Sequence, residues 1–433
     1  YHVAKLYEAL SKYQPGRIPD VKITPEMEQG IALARACFSK PHDEPFLRPF
    51  PLTMEIVDLL TTNRTGSAGL TAWGVKKEDA MIRGYERGLQ TIQSVKAPEP
   101  CIAFRRTQFN DKTRLVWGFP YSMTVIEGLV ARPLIERFKG SSLTPMAFGM
   151  STHKMGSMLR TSARHKRYAY SIDMTSFDSS ISAQLIHLAF GILKTWYDLS
   201  KVEPTSGVTY GKIFDIIENY FIHTPIVMPD HKIYLGKKHG VPSGSYFTQM
   251  VDSVANVIIG GTIAARFYMN VDKHDIYVLG DDLMLWSDRN VELGSLANYA
   301  SNRFRVEFNP KKSEKFMWNE PIRYLGRIWS HGIPDQGMDQ IIQRMVYPER
   351  FRVYSNDPVK KRREVNLLLA AFAANYKSAN HILTQALGMH NTRRSPNAFD
   401  IDIFDRGMEI NNDHLTGLQR YKAIYIANHS KFH

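Results

Sequence analysis

DIYVLGDDLMLW, residues Asp275 to Trp286, sets two apolar runs, Ile276–Leu279 and Leu283–Trp286, on either side of Gly280, Asp281 and Asp282. Short apolar runs closed by Gly and Asp read as a buried β-hairpin with two carboxylates at its tip. Gly-Asp-Asp alone carries little weight, since average composition delivers it in about one chain in ten of this length, and both residue types are ordinary in turns. The setting adds the weight. Two adjacent acids between hydrophobic strands repel each other unless a cation or a basic group compensates them.

A second acidic pair lies upstream in Ile172-DMTSFD-Ser179. Tyr168–Ile172 reads as a strand ending at Asp173, and Asp178 sits beside the start of a helical stretch, Ser179–Leu199. In that stretch Ile181, Leu185, Leu188, Ile192 and Trp196 recur at three- and four-residue steps. Asp178 by itself could simply cap that helix. Together with the hairpin, a different account emerges: two strand ends, each delivering a carboxylate to one point, make an oxygen-rich site suited to Mg²⁺. Two such ions about 3.5–4 Å apart clamp the attacking and leaving oxygens of a phosphoryl transfer.

Between the pairs runs GVPSGSYFTQMVDSVAN, Gly240 to Asn256. Pro242, Ser243 and Gly244 form a turn, and Ser245–Ile263 has helical character. Thr248, Asp252, Ala255 and Asn256 share one face of it. Small polar groups at a helix start can read a sugar hydroxyl; equally, a serine can cap the helix while polar residues face water.

Composition sets the outer bounds. The 433 residues are 43% hydrophobic and 22% charged, which fits a globular chain with a large core. A formal net charge of +13 favours a polyanionic partner. Cys37 and Cys101 are too few for a disulfide framework or a cysteine zinc site and read as buried thiols in a reducing compartment. The longest uncharged apolar stretch, Ser253–Ala265, falls short of the roughly 20 residues a membrane span needs. Lys5, Glu8 and Lys12 argue against a secretory leader, and the first residue, Tyr1, leaves room for a longer natural chain. No 20–50-residue repeat is present. A mixed middle followed by helices, such as Val359–Leu387 after Pro358 with Leu367, Leu368, Ala371 and Phe372 on one face, predicts α+β architecture.

The order Asp-x4-Asp, Ser-Gly-x3-Thr, Gly-Asp-Asp resembles motifs A, B and C of viral RNA-dependent RNA polymerases. The words GVPSGSYFTQMVDS and RLVWGFP are most similar to those of partitiviruses, which have double-stranded RNA genomes, with picobirnaviruses next. The resemblance covers about Arg105 to Trp329. It implies that Asp173 and Asp281 are the principal metal ligands, with Asp282 beside them. Asp178 would select ribonucleotides, together with Ser243, Gly244 and Thr248. Asp252 stands where picornavirus-like spacing has Asn, and Asn256 lies one helical turn on, so both remain candidates for the sugar contact. Leu279 replaces the Tyr that often precedes Gly-Asp-Asp. Phe104-RRTQFNDKTRLV resembles motif F, and Arg105, Arg106, Lys112 and Arg114 would clamp the triphosphate. Asn309-PKKSEK resembles motif D; Lys312 best matches the lysine that protonates pyrophosphate, with Lys311 and Lys315 as competitors. Tyr324-LGR, ending at Arg327, resembles the motif E hairpin, and Thr65-GSAG, with Ser67 and Gly69, resembles the template-guiding motif G. Lys360-KRR could contact product phosphates or merely face solvent.

The resemblance further implies a right hand: fingers over 1–167 with an insertion at 197–239, palm over 168–196 and 240–330, and a helical thumb over 331–433. The expected reaction is template-directed RNA synthesis from nucleoside triphosphates for transcription and replication of a double-stranded RNA genome. Two Mg²⁺ ions, or Mn²⁺ in their place, would serve it, with primer-independent initiation. Expected partners are template and product RNA and a capsid protein, without a membrane; expected locations are the virus particle and host cytoplasm. Two rivals remain: a reverse transcriptase, which usually has a bulky residue at the position of Asp178, and an inert RNA-binding scaffold, against which the intact acids speak.

Overall fold

A computed structural model of the chain describes residues 3–13, 16–108, 112–337, 339–340 and 356–358. Helices α1 (Val3–Ser11), α2 (Pro25–Phe38), α3 (Met54–Leu60) and α4 (Met81–Ile92) lead into strands β1 (Cys101–Gln108) and β2 (Lys112–Gly118). Helices α5 (Tyr121–Phe138) and α6 (Thr152–His165) precede β3 (Tyr168–Thr175), the short α7 (Phe177–Ser180), α8 (Ala183–Lys194) and α9 (Tyr210–Ile222). After β4 (Ile226–Val227) and β5 (Ile233–Tyr234) come α10 (Thr248–Arg266), β6 (Ile276–Leu279), β7 (Asp282–Ser287) and α11 (Leu293–Phe304). Short strands β8 (Glu307–Phe308), β9 (Glu314–Met317), β10 (Ile322–Tyr324), β11 (Arg327–Ser330) and β12 (Ile333–Asp335) follow.

The central sheet has the order β6-β7-β3-β8, with β9 also pairing β3. Its side chains alternate strictly between two cores. Leu283 and Leu285 of β7 and Ile276 and Val278 of β6 point into the main core, while Met284, Trp286 and Tyr277 enter a second one. Burial on both faces is why the hairpin reads as continuous apolar runs and not as alternating apolar and polar residues. α10 covers the first face and in turn packs on α2. Backbones meet closely there: a Cβ on Gly30 would lie 2.5 Å from the Ile258 carbonyl oxygen. Met155 and Leu159 of α6, with Ile322, Tyr324 and Trp329 of the β10-β11-β12 sheet, close the second face. A separate four-stranded sheet, β2-β1-β4-β5, carries the basic hairpin.

The mixed α+β architecture is as expected, and the Gly280 hairpin forms where the apolar runs place it. Two helix boundaries differ. The expected Ser179–Leu199 helix is broken: Ile181 is extended, and Ser182 starts α8 afresh by accepting from Leu185 N at 3.2 Å. The helix expected from Ser245 begins at Thr248. No side chain caps it; Thr248 Oγ1 bonds back to the carbonyls of Pro242 (2.6 Å) and Ser245 (2.9 Å). Cys37 and Cys101 are buried free thiols. No helix of the described residues is long and apolar enough to cross a membrane. The Val359–Leu387 helix and Lys360-KRR lie outside the described residues, as does most of the segment expected to form the thumb.

Candidate active site

The acids converge because the strands do. In the β3–β7 ladder, Asp173 stands directly opposite Asp282, and Leu279 pairs with Asp282 across the hairpin. Directly opposed residues project to the same side of a ladder with Cβ atoms roughly 4.5–5.5 Å apart, close enough for both carboxylates to face one ion. Asp281 precedes Asp282 at the exposed tip of the turn, where the charge of Asp173 reaches it.

Desolvation pushes the Asp282 carboxyl up to about 7, and the fields of Asp281 and Asp173 add to it. Asp281 is raised as well, first by loss of water and then by Asp173. Asp178, in the first turn of α7, is pushed up to about 6 by burial and by Asp281. Asp252 is fully enclosed, hydrogen-bonded to Asp178, and driven well above the usual carboxylate range by burial and by the charges of Asp178 and Asp281. Two cations temper this cluster. Lys312 Nζ donates to Asp173 Oδ2 at 2.9 Å, and the charge of Arg114 lowers both Asp178 and Asp281.

Of the motif D lysines, Lys312 is the one on Asp173. Lys315 turns away to Asn290 Oδ1 (2.9 Å) and Glu292 Oε1 (3.1 Å). The β1–β2 hairpin sets Arg106 opposite Arg114, Arg105 opposite Leu115 and Gln108 opposite Lys112, so four basic positions share one ribbon. The structure separates Asp252 from Asn256. Asp252 meets Asp178, whereas the Asn256 amide donates to the Gly280 carbonyl at 2.9 Å.

The loop before α10 is fastened on two sides. Ser243 Oγ accepts from Trp117 N at 3.2 Å, and a Cβ on Gly244 would come within 1.8 Å of the Trp117 carbonyl. On the other side, Glu127 of α5 accepts from Ser245 Oγ (2.7 Å) and Tyr246 N (2.8 Å). Glu127 is wholly buried, and burial pushes its carboxyl up to about 8. Ser67 and Gly69 line a cavity of about 680 Å³ together with Lys77, Phe104, Gly244 and Tyr246. Tyr324 and Arg327, expected as RNA contacts, are both buried, and Tyr324 packs in the second core. Their turn, Leu325-Gly326, has positive φ at both residues, as a tight hairpin requires.

Sequence reasoning passed over Glu127 and Ser313. Glu127 is the one acid in the otherwise uncharged run Tyr121–Ala131, and a lone acid in an apolar stretch was its available signal. Ser313 Oγ accepts from Asp173 N and donates to Asp173 O, both at 3.1 Å, which only coordinates reveal.

A sheet that joins two acid-bearing strand ends, a covering helix that opens on a Ser-Gly loop, and a basic hairpin above them define a right-hand nucleic-acid polymerase. Two solved structures share this fold. The RNA-dependent RNA polymerase of a human picobirnavirus superposes with a TM-score of 0.65 at 14% identity, covering 98% of this chain and 79% of that one. The Sicinivirus 3Dpol polymerase gives 0.66 at 16% identity over 94% and 89%. The family profile of viral RNA-dependent RNA polymerases matches residues 109–387, and the chain belongs to that family. Among curated relatives, the RNA-directed RNA polymerase of Cryptosporidium parvum virus 1 is 29% identical over 225 residues, 50% of this chain and 38% of that protein. That of Atkinsonella hypoxylon virus is 27% identical over 158 residues, 34% and 24%. The chain thus spans well under half the length of the curated relatives it matches.

Proposed function

We propose that this chain is the catalytic core of an RNA-dependent RNA polymerase that copies a viral, double-stranded RNA genome from nucleoside triphosphates. The observation that carries the proposal is the ladder register that sets Asp173 against Asp282 with Asp281 at the adjoining tip.

The donor set fits divalent cations. Five carboxylates (Asp173, Asp178, Asp252, Asp281 and Asp282) lie in one another's fields, with the charges of Lys312 and Arg114 opposing them. Asp252 Oδ1 is buried without a hydrogen-bond partner. The oxygen-only chemistry is that of Mg²⁺ or Mn²⁺. Among the described residues no three His, Cys, Asp or Glu side chains are gathered closely enough to hold a metal ion, so water and substrate phosphates would have to supply much of the shell. Asp173, Asp281 and Asp282 would hold the ions, which when bound supply Lewis acidity to the attacking and departing oxygens.

The chain's own residues do the rest. Arg105, Arg106, Lys112 and Arg114 hold the triphosphate and offset its charge as the bond to the α-phosphate forms and pyrophosphate leaves. Lys312, already beside Asp173, gives a proton to that pyrophosphate. Asp178, steadied by Asp252, accepts from the ribose 2′ hydroxyl, and the Ser243–Gly244 loop supports the templating base. Ser67 and Gly69 border the cavity through which the template strand approaches. Initiation without a primer, a capsid partner, and residence in the virus particle and host cytoplasm belong to the same proposal and rest on likeness to partitivirus polymerases. Incorporation of labelled ribonucleotides on an RNA template, dependent on Mg²⁺, tests the core of it. Loss of incorporation in Asp281→Ala with RNA binding intact is expected. Equal activity in that variant, or a preference for deoxyribonucleotides in the unaltered chain, would overturn it.

A further inference from the structure

Gly280 has no strand partner: the hairpin ladder closes with Leu279 opposite Asp282, so the peptide groups on both sides of Gly280 need bonds from elsewhere. They find them on α10. Gly280 N donates to Ser253 Oγ at 2.9 Å, and Asn256 Nδ2 donates to Gly280 O at 2.9 Å. Ser253 and Asn256 are three residues apart on one helix face, and both are fully excluded from solvent. A buried hydroxyl and amide are costly unless they are hydrogen-bonded; the Ser253 hydroxyl and the Asn256 Nδ2 both find their partner on Gly280, while Asn256 Oδ1 stays buried without one. No neighbour forces glycine at this position, since a Cβ there would meet nothing within 4 Å; its φ of +63° does. The helix therefore grips both peptide planes of a turn whose conformation would otherwise be free to vary, immediately before Asp281 and Asp282.

We propose that Ser253 and Asn256 are positioning residues that fix the acid-bearing turn to α10, and that Asn256 acts on the carboxylates through Gly280 and not on the ribose. This inference rests on the proposed polymerase function. It also gives α10 two jobs at one site. In the proposed function its leading loop would border the nucleotide and template, while Ser253 and Asn256 at its middle hold the turn that carries the acids.

The test compares the full chain with Ser253→Ala, Ser253→Thr and Asn256→Ala. Mn²⁺ binding is followed by electron paramagnetic resonance without substrate, and the Mg²⁺ needed for half-maximal incorporation and the preference for ribo- over deoxyribonucleotides are measured beside it. Thermal melting checks folding. Loss of outer support of this kind weakens metal binding by roughly 10- to 100-fold. That weakening is expected in Ser253→Ala and Asn256→Ala, with sugar preference unchanged and Ser253→Thr restored toward the original affinity. Unchanged Mn²⁺ affinity in the folded variants would overturn the inference. So would lost sugar preference in Asn256→Ala with metal affinity intact, which would return Asn256 to the ribose. Should Asn256→Ala fail to fold, Ser253→Ala against Ser253→Thr decides alone. If the unaltered chain makes no RNA, the polymerase reading fails, while the Mn²⁺ comparison still judges the grip on Gly280.

Discussion

The two strand ends that form the site differ in how their charge is balanced. At the end of β3, Asp173 has a lysine of its own: Lys312 reaches it at 2.9 Å from a position open to solvent, and Ser313 pins the Asp173 backbone at both N and O. At the β6–β7 turn, lost water and the charge of Asp173 oppose ionisation of Asp281 and Asp282, Asp281 adds to this at Asp282, and the charges of Lys312 and, at Asp281, Arg114 offset only part of it. Asp173 is paired with an exposed lysine; Asp281 and Asp282 hold their protons more tightly until a cation compensates them. The asymmetry leaves Lys312 as an exchangeable counter-charge on one side and two acids that resist ionisation on the other.

Removing the exchangeable cation should have the largest effect. Lys312→Ala is expected to lower the rate of nucleotide addition by about 10²- to 10⁴-fold, the usual worth of a positioned general acid; stopped-flow incorporation with saturating nucleotide would show it. If Lys311→Ala gave the larger loss, the assignment within motif D would be reversed.

Next comes the proton-laden side. Because Asp282 is pushed up to about 7, protons compete with metal below that pH, so the Mg²⁺ requirement should climb as pH falls from 8 to 6. Asp282→Asn should weaken binding by roughly tenfold and flatten that pH dependence. A requirement in the unaltered chain that is indifferent to pH would contradict the charge balance described.

Smaller effects belong to the scaffold. In Gly244→Ala the new Cβ would press to 1.8 Å from the Trp117 carbonyl, so the loop must leave β2. A stability loss of about 1–3 kcal/mol is expected from the overpacking, with a raised KM for nucleotide. Glu127, pushed up to about 8 from 4.5, keeps a proton in the folded chain that the unfolded chain releases. Its contribution is full below about pH 4.5 and fades as pH rises through about 8. Urea titrations should therefore show a stability decline across that window of under about 1.4 kcal/mol per pH unit, absent in Glu127→Gln.

Much of this was legible in the chain because strands buried on both faces leave a dense apolar signature: Ile276–Leu279 and Leu283–Trp286 announce the hairpin, and Tyr168–Ile172 announces its neighbour. The acids stood out because polar groups at the ends of such runs have few structural excuses. The helix boundaries were less legible. Apolar spacing continues through Ile181, so nothing in periodicity marks the break that Ser182 makes in the backbone, and Ser245 looked like a cap because its bond to Glu127, 118 residues away, leaves no local trace. Tyr324 and Arg327 illustrate the same limit: their motif is readable, but which way a strand residue faces depends on the sheet it joins. Asp252 and Asn256 lie on one helical face by spacing, and only the packing of β6–β7 against α10 separates their partners.

The central claim is that Asp173, Asp281 and Asp282 together hold divalent cations. Mn²⁺ titration of the full chain with RNA template, primer and a non-hydrolysable nucleoside triphosphate, read by electron paramagnetic resonance, addresses it directly. Two ions per chain are expected, with at least one lost in Asp173→Asn and in Asp281→Asn. The same stoichiometry and affinity in both variants as in the unaltered chain would contradict it.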